Sequence, residues 1–180
     1  GTMLLLTQRL REYDALVRSG AWSRGDQFCL LDFPVRELAG RKLGIVGYGA
    51  LGKGVARAAS LALGMEVWVA NRPGGEPRAG RHDLDELLSQ VDVLSLHCPL
   101  TPQTRHLLDA RRIALMKKGA ILVNTARGPV IDDRAVVAAL ATWPLAVSAQ
   151  PVATPGWPAR PLRVLVGFPP GQASDIRFRS

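Results

Sequence analysis

The stretch Leu43-Gly44-Ile45-Val46-Gly47-Tyr48-Gly49-Ala50-Leu51-Gly52 decides how this chain folds. A short apolar run enters a glycine-rich turn. The turn opens the Ala-rich segment Val55-Ala56-Arg57-Ala58-Ala59, which reads as helix. Strand, G-x-G-x-x-G turn and helix in that order mark a dinucleotide cradle. Gly47 permits the tight turn, Gly49 lets a pyrophosphate approach the main chain, and Gly52 lets helix and strand pack closely. The free amides of Ala50 and Leu51 then face the phosphates from the positive end of a helix. The plainer alternative is a glycine-rich turn that binds nothing.

Outward from this turn the chain alternates strand and helix. Strands are expected at 43–46, 66–70, 92–96 and 120–124, with helices at 50–63, 83–89 and 109–116 between them. Asp83 and Asp109 stand at N-cap positions, and Asp132 caps a further helix through Val136, Val137 and Leu140. Such alternation predicts an α/β fold: a Rossmann-type, doubly wound parallel sheet with right-handed crossovers, here incomplete. Before the turn, Leu6, Leu10, Tyr13 and Val17 recur at helical spacing. They predict one amphipathic helix over 3–18, stopped by Ser19-Gly20. Residues 20–40 read as irregular. After Leu140 come Pro144, Pro151, Pro155, Pro158 and Pro161, which break any helix. One apolar strand, 162–166, stands in an otherwise irregular tail. The expected division is 1–40, helix and linker; 41–140, dinucleotide-binding domain; 141–180, tail.

The 180 residues suit one domain, or one and a fragment of another. Cys29 and Cys98 sit in apolar surroundings, so both are expected reduced and buried. No apolar run is long enough to span a membrane. The cluster Met3-Leu4-Leu5-Leu6 is too short for a secretory signal. The expectation is therefore a cytoplasmic protein without a membrane partner. A net charge of +8 raises the question of nucleic acid. The arginines are scattered, however, and no basic run is interleaved with aromatics, so attraction of an anionic cofactor is the better use. Arg111-Arg112 and Lys117-Lys118 read as a solvated face.

In a dinucleotide fold the second strand ends on an acid that holds the adenosine ribose. Here Asn71-Arg72 stands there instead. Asn71 does not repel a 2′-phosphate and Arg72 can pair with one, so NADP is admissible as well as NAD. Alternatively, both are simply turn residues before Pro73-Gly74-Gly75. The third strand runs into His97-Cys98-Pro99-Leu100-Thr101 and the fourth into Asn124-Thr125-Ala126-Arg127-Gly128. Ligands in open α/β sheets gather at such carboxyl ends. Arg127 is either a surface arginine or, facing that crevice, a fork for a substrate carboxylate.

These three motifs, in this order and at these separations, resemble the NAD-binding domain of the D-isomer-specific 2-hydroxyacid dehydrogenases. The likeness covers about residues 3–140, with glycerate and hydroxypyruvate reductase-like members nearest. It implies hydride transfer between a nicotinamide dinucleotide and a small 2-keto or 2-hydroxy acid. It also implies that Ala50 and Leu51 contact pyrophosphate, that Asn71 and Arg72 meet the ribose, and that Cys98 and Pro99 flank adenine. Thr125 and Ala126 would line the nicotinamide side. Arg127 matches the arginine that grips the substrate carboxylate and is the one catalytic residue assigned. The helix at 3–18 would be the interdomain helix, which often contributes to a homodimer interface.

The family's catalytic set adds a glutamate and a histidine downstream of the arginine. Here His82, His97 and His106 all precede Arg127, and no Glu follows Glu86. The residues that build the substrate domain are also absent. The chain is therefore expected to bind dinucleotide and to be weak or inactive alone. The rival is a non-catalytic nucleotide-binding or interaction module, or a non-functional gene-fusion remnant. The tail from Trp157 to Gly171 resembles the mature start of the solute receptors of tripartite tricarboxylate transporters, and 135–149 resembles the apolar part of an export signal. A periplasmic receptor would need such a signal at the amino terminus. No metal site is expected.

Overall fold

The computed structural model describes residues 1–26, 28–142 and 163–166. Strands β1 (Lys42–Val46), β2 (Glu66–Val69), β3 (Val93–Leu96), β4 (Ile121–Asn124) and β5 (Arg163–Val166) form one sheet in the order β2-β1-β3-β4-β5. Every pairing is parallel. The helices are α1 (Thr2–Thr7), α2 (Leu10–Arg18), α3 (Ala21–Arg24), α4 (Ala50–Leu63), α5 (Leu84–Gln90), α6 (Ala110–Leu115) and α7 (Asp133–Thr142). The reversal of strand order at β1/β3 is the crevice of a doubly wound sheet. From β1 onward the expected strands and helices are present with ends shifted by a residue at most, and the run expected at 162–166 forms β5 beside β4.

Burial explains the apolar runs. Every residue of β3 and β4 is buried, as strands covered on both faces require. One face packs Leu87, Leu94, Leu96, Leu108, Leu122 and Val130 under α5, α6 and α7. The other packs Leu43, Ile45, Ala56, Ala59, Val93 and Ile121 under α4, with Met3, Leu4 and Leu6 of α1 against it. Gly44 has no room for a side chain, because a Cβ there would lie 2.6 Å from Leu87 Cδ2. The caps fall where the sequence puts them. Asp83 Oδ1 accepts from the amides of Asp85 and Glu86, Asp109 Oδ1 from Arg112, and Asp132 Oδ1 from Arg134 and Ala135.

Four expectations need correction. The amphipathic helix over 3–18 is two helices, α1 and α2, broken at Arg9, whose φ is +56°. Thr7 Oγ1 donates to the Met3 carbonyl at 2.8 Å, and Arg9, a residue only 6% exposed, pairs through its guanidinium with Glu12. Burying these two polar side chains with their partners outweighs helix continuity. A single turn, α3, also stands inside the stretch read as irregular. Cys29 is exposed, because its neighbours Phe28 and Leu31 are themselves uncovered, while Cys98 is buried; both are free thiols.

The basic pairs are more than a solvated face. Arg111 and Arg112 both bond Asp85, at 2.7 and 2.8 Å, tying α6 to α5. Hydrogen bonds from Arg111 and then Arg112 hold the Asp85 carboxyl below its usual range. Lys117 reaches Asp92 at 3.1 Å. His82 stacks on Trp68 with ring centroids 4.1 Å apart. The stretches 143–162 and 167–180 lie outside the described residues. They hold the second half of the export-signal-like run and the Phe168-Pro169-Pro170-Gly171 loop.

Candidate functional site

Parallel register places the predicted residues along one edge of the sheet. Val46 is level with Leu96, Leu96 with Asn124, and Ile45 with Val69. The loops that leave these strands therefore emerge together at the carboxyl ends. They carry Gly47 to Gly52, Asn71 and Arg72, His97 to Pro99, and Thr125 to Arg127.

The glycine turn is a cradle that side chains would fill or break. Gly47 has φ +93°, and a Cβ on it would lie 2.5 Å from the Cys98 amide nitrogen. A Cβ on Gly52 would lie 2.1 Å from the Gly47 carbonyl oxygen, so α4 starts in backbone contact with the turn. At Gly49 nothing stands within 4 Å of where a Cβ would be. Gly49 is also the N-cap of α4 and contributes no side-chain cap. The first amides of α4, on Ala50 and Leu51, are left without side-chain acceptors, and both residues are exposed. Open space over Gly49 beside unsatisfied amides at a positive helix end suits a pyrophosphate.

At the end of β2, Asn71 Oδ1 accepts the Arg78 amide at 3.0 Å, and Arg72 is exposed. The chain then loops out and returns. The Asn71 amide donates to the His82 carbonyl and the His82 amide to the Val69 carbonyl, at 2.8 and 2.9 Å. The return leg places Arg81 over the Tyr48 ring, with Cζ 4.5 Å from its centroid.

At the ends of β3 and β4, His97 is tied at both ring nitrogens. Nε2 lies 2.9 Å from Ser95 Oγ and Nδ1 lies 3.1 Å from Thr125 Oγ1. Its amide donates to the Val46 carbonyl at 2.7 Å. Burial pushes the His97 pKa down, so the ring is held neutral. The Cys98 thiol is pushed up by the same cause, which makes it a poor nucleophile. Thr125 is exposed and Ala126 buried. Asn124 fixes the next turn, accepting the Ala126 amide at 3.0 Å and donating to the Arg127 carbonyl at 2.9 Å. Arg127 is exposed, with Nη1 bonded to the Ala126 carbonyl at 2.8 Å.

Every predicted site residue is thus on this edge. Sequence reasoning missed Tyr48 and Arg81. Their pairing depends on the return of the 72–81 loop, which has no local signature. Among the described residues no group of three or more His, Cys, Asp or Glu side chains is placed to hold a metal. No helix among them is long and apolar enough to cross a membrane.

The family model described as "D-isomer specific 2-hydroxyacid dehydrogenase, NAD binding domain" matches residues 1–160. A glycerate dehydrogenase of Methylorubrum extorquens is 44% identical over 140 residues, covering 78% of this chain and 43% of that protein. A hydroxypyruvate reductase of Blautia hydrogenotrophica is 39% identical over 142 residues, covering 77% and 44%. The crystal structure of the TT0316 protein from Thermus thermophilus superposes with a TM-score of 0.68 at 36% identity, covering 94% of this chain and 50% of that one. The chain therefore spans less than half the length of these curated relatives.

Proposed function

The chain belongs to the D-isomer-specific 2-hydroxyacid dehydrogenases, of which it carries the NAD-binding domain, and on that premise we propose how its residues divide the work. The observation that carries the reading is the open backbone over Gly49 at the bare start of α4. Gly47, Gly49 and Gly52 shape the cradle, and the Ala50 and Leu51 amides hold the pyrophosphate. Asn71 and Arg72 meet the adenosine ribose, and Cys98 and Pro99 flank the adenine. Thr125 and Ala126 line the nicotinamide side, where the His97 bond fixes the Thr125 hydroxyl. When bound, the dinucleotide supplies or accepts hydride. The substrate is a small 2-keto or 2-hydroxy acid. Arg127 swings from the Ala126 carbonyl to grip its carboxylate through two parallel N–H bonds.

Reduction of a ketone also needs a proton at its oxygen. His97 does not supply it, since both ring nitrogens are engaged and burial keeps it neutral. His82 is stacked on Trp68, and His106 lies in the loop before α6. A missing general acid costs about 10²–10⁴-fold in rate. Tested by themselves, these 180 residues are accordingly expected to bind dinucleotide and to turn over little or nothing. We assign 41–140 to the binding domain, 1–40 to the helical segment before it and 141–180 to a tail whose described part, 163–166, adds β5 to the sheet. Exposed Leu10, Val17, Trp22, Phe28 and Leu31 on and after α2 suit a homodimer contact. The test is NADH or NADPH oxidation with glyoxylate or hydroxypyruvate, run beside a binding titration. Binding without turnover is expected; sustained oxidation by the pure chain refutes the division of roles.

A further inference from the structure

Resting on the dinucleotide reading above, we propose that Arg81 is a specificity-determining residue that reads a 2′-phosphate on the adenosine ribose, so that the site prefers NADP(H) to NAD(H).

The guanidinium is already in place. Its Cζ stands 4.5 Å from the centroid of the Tyr48 ring, and Nη1 lies 3.5 Å from the Ala70 carbonyl oxygen. Tyr48 is the residue between Gly47 and Gly49 of the phosphate turn, and Ala70 is the last residue before Asn71. Arg81 therefore bridges the pyrophosphate cradle and the end of β2, the two places between which an adenosine ribose must lie. The backbone holds it there. Gly80 turns the chain at φ +72°, the Arg81 amide bonds the Arg78 carbonyl at 3.1 Å, and His82 pairs beside Ala70.

The surroundings favour a doubly charged anion. Between Asn71 and Arg81 the loop has three arginines, Arg72, Arg78 and Arg81, against one acid, Glu76. Lys53 adds a further cation 6.0 Å from the Tyr48 ring. None of these arginines is in an ion pair among the described residues. Where an acid would hold the ribose hydroxyls, Asn71 carries no charge, and its side-chain oxygen accepts the Arg78 amide at 3.0 Å. A guanidinium lying on an aromatic ring leaves its edge N–H groups accessible in its own plane, and those not turned to the Ala70 carbonyl fit a phosphate in bidentate fashion. Arg81 is half-buried and pre-placed. Exposed Arg72 has more side-chain freedom to lose, so it contributes less on binding.

The test is fluorescence titration of NADPH and NADH into the full chain and into Arg81→Met, Arg81→Lys and Arg72→Met. Wild type should bind NADPH at least about tenfold more tightly than NADH. Arg81→Met should lose about tenfold or more on NADPH while NADH changes less than about twofold, which also shows that the variant is folded. Arg81→Lys should fall between, since a lysine keeps the charge without the fork. Arg72→Met should cost less than Arg81→Met. A wild type that does not discriminate, a preference that survives Arg81→Met, or a larger loss in Arg72→Met overturns the proposal. A wild type that binds neither dinucleotide overturns the underlying reading as well, and so is distinct from these.

Discussion

The backbone of Gly47 lies against that of Cys98, so close that a Cβ on Gly47 would stand 2.5 Å from the Cys98 amide nitrogen and 2.6 Å from the His97 carbonyl carbon. The phosphate turn after β1 and the loop after β3 are thus one packed unit. That is why the ends of neighbouring strands form a single edge rather than separate loops. The conformation at Gly47, φ +93°, is one that side chains avoid in any case.

Gly47→Ala should therefore destabilise by about 2 kcal/mol or more, from backbone strain and steric conflict together. Gly54 is the matched control. It lies in α4 with nothing within 4 Å of its Cβ position, so Gly54→Ala should stabilise by up to about 1 kcal/mol. Urea unfolding of both variants checks the pair; effects of the same sign would contradict it.

Asp92, just before β3, ties the start of β1 to the loop before β4. It is 6% exposed, accepts the Lys42 amide at 2.9 Å through Oδ2, and meets Lys117 at 3.1 Å through Oδ1. Asp92→Ala leaves the β1 amide without its acceptor and should cost about 1–3 kcal/mol. Lys117→Met removes a partner that stays in contact with water and should cost clearly less. Chemical denaturation ranks the two, and the reverse order would be wrong for this geometry.

His97 gives stability an acid dependence. Its pKa is lower when folded than the ordinary value of about 6.5, because burial disfavours the charged ring. Above that pH both states are neutral and the residue contributes no slope. As pH falls below about 6.5, the unfolded chain takes up a proton that the folded chain refuses, so stability drops until the folded pKa is passed. His97→Gln should flatten this portion of the stability curve. An unchanged slope between the wild type and the variant would remove His97 as its source.

Arg127 should separate substrate from coenzyme. Arg127→Ala is expected to leave dinucleotide affinity within about twofold and to weaken oxalate binding to the loaded protein by about tenfold or more. Lysine should restore little, since the paired N–H geometry is lost. Calorimetry with oxalate reads the difference, and equal oxalate affinity in wild type and variant would exclude the role.

Local patterns made the sheet legible. The apolar runs of β1 to β4, the glycine turn and the aspartate caps at 83, 109 and 132 each follow from short-range chemistry, and they appear where read. The features missed depend on residues far apart in sequence. The break at Arg9 comes from burying its guanidinium against the body of the fold. The exposure of Cys29 follows from its loop failing to pack, whatever its own apolar neighbours. Asp85 gathers Arg111 and Arg112 across 26 and 27 positions, and Tyr48 meets Arg81 only because β1 pairs with β2 and the return leg pairs with the end of β2. Periodicity has no access to such meetings.

Gly49 offers the sharpest test of the cradle. Its φ of −79° suits any residue, and the space beside it is open, so Gly49→Val should fold like the wild type by circular dichroism and thermal melting. The valine would stand where the pyrophosphate must come. In a calorimetric titration with NADPH and NADH, heat of binding should appear for the wild type and vanish for Gly49→Val. A silent wild type, or a variant that binds as well as the wild type, would mean that the start of α4 holds no dinucleotide.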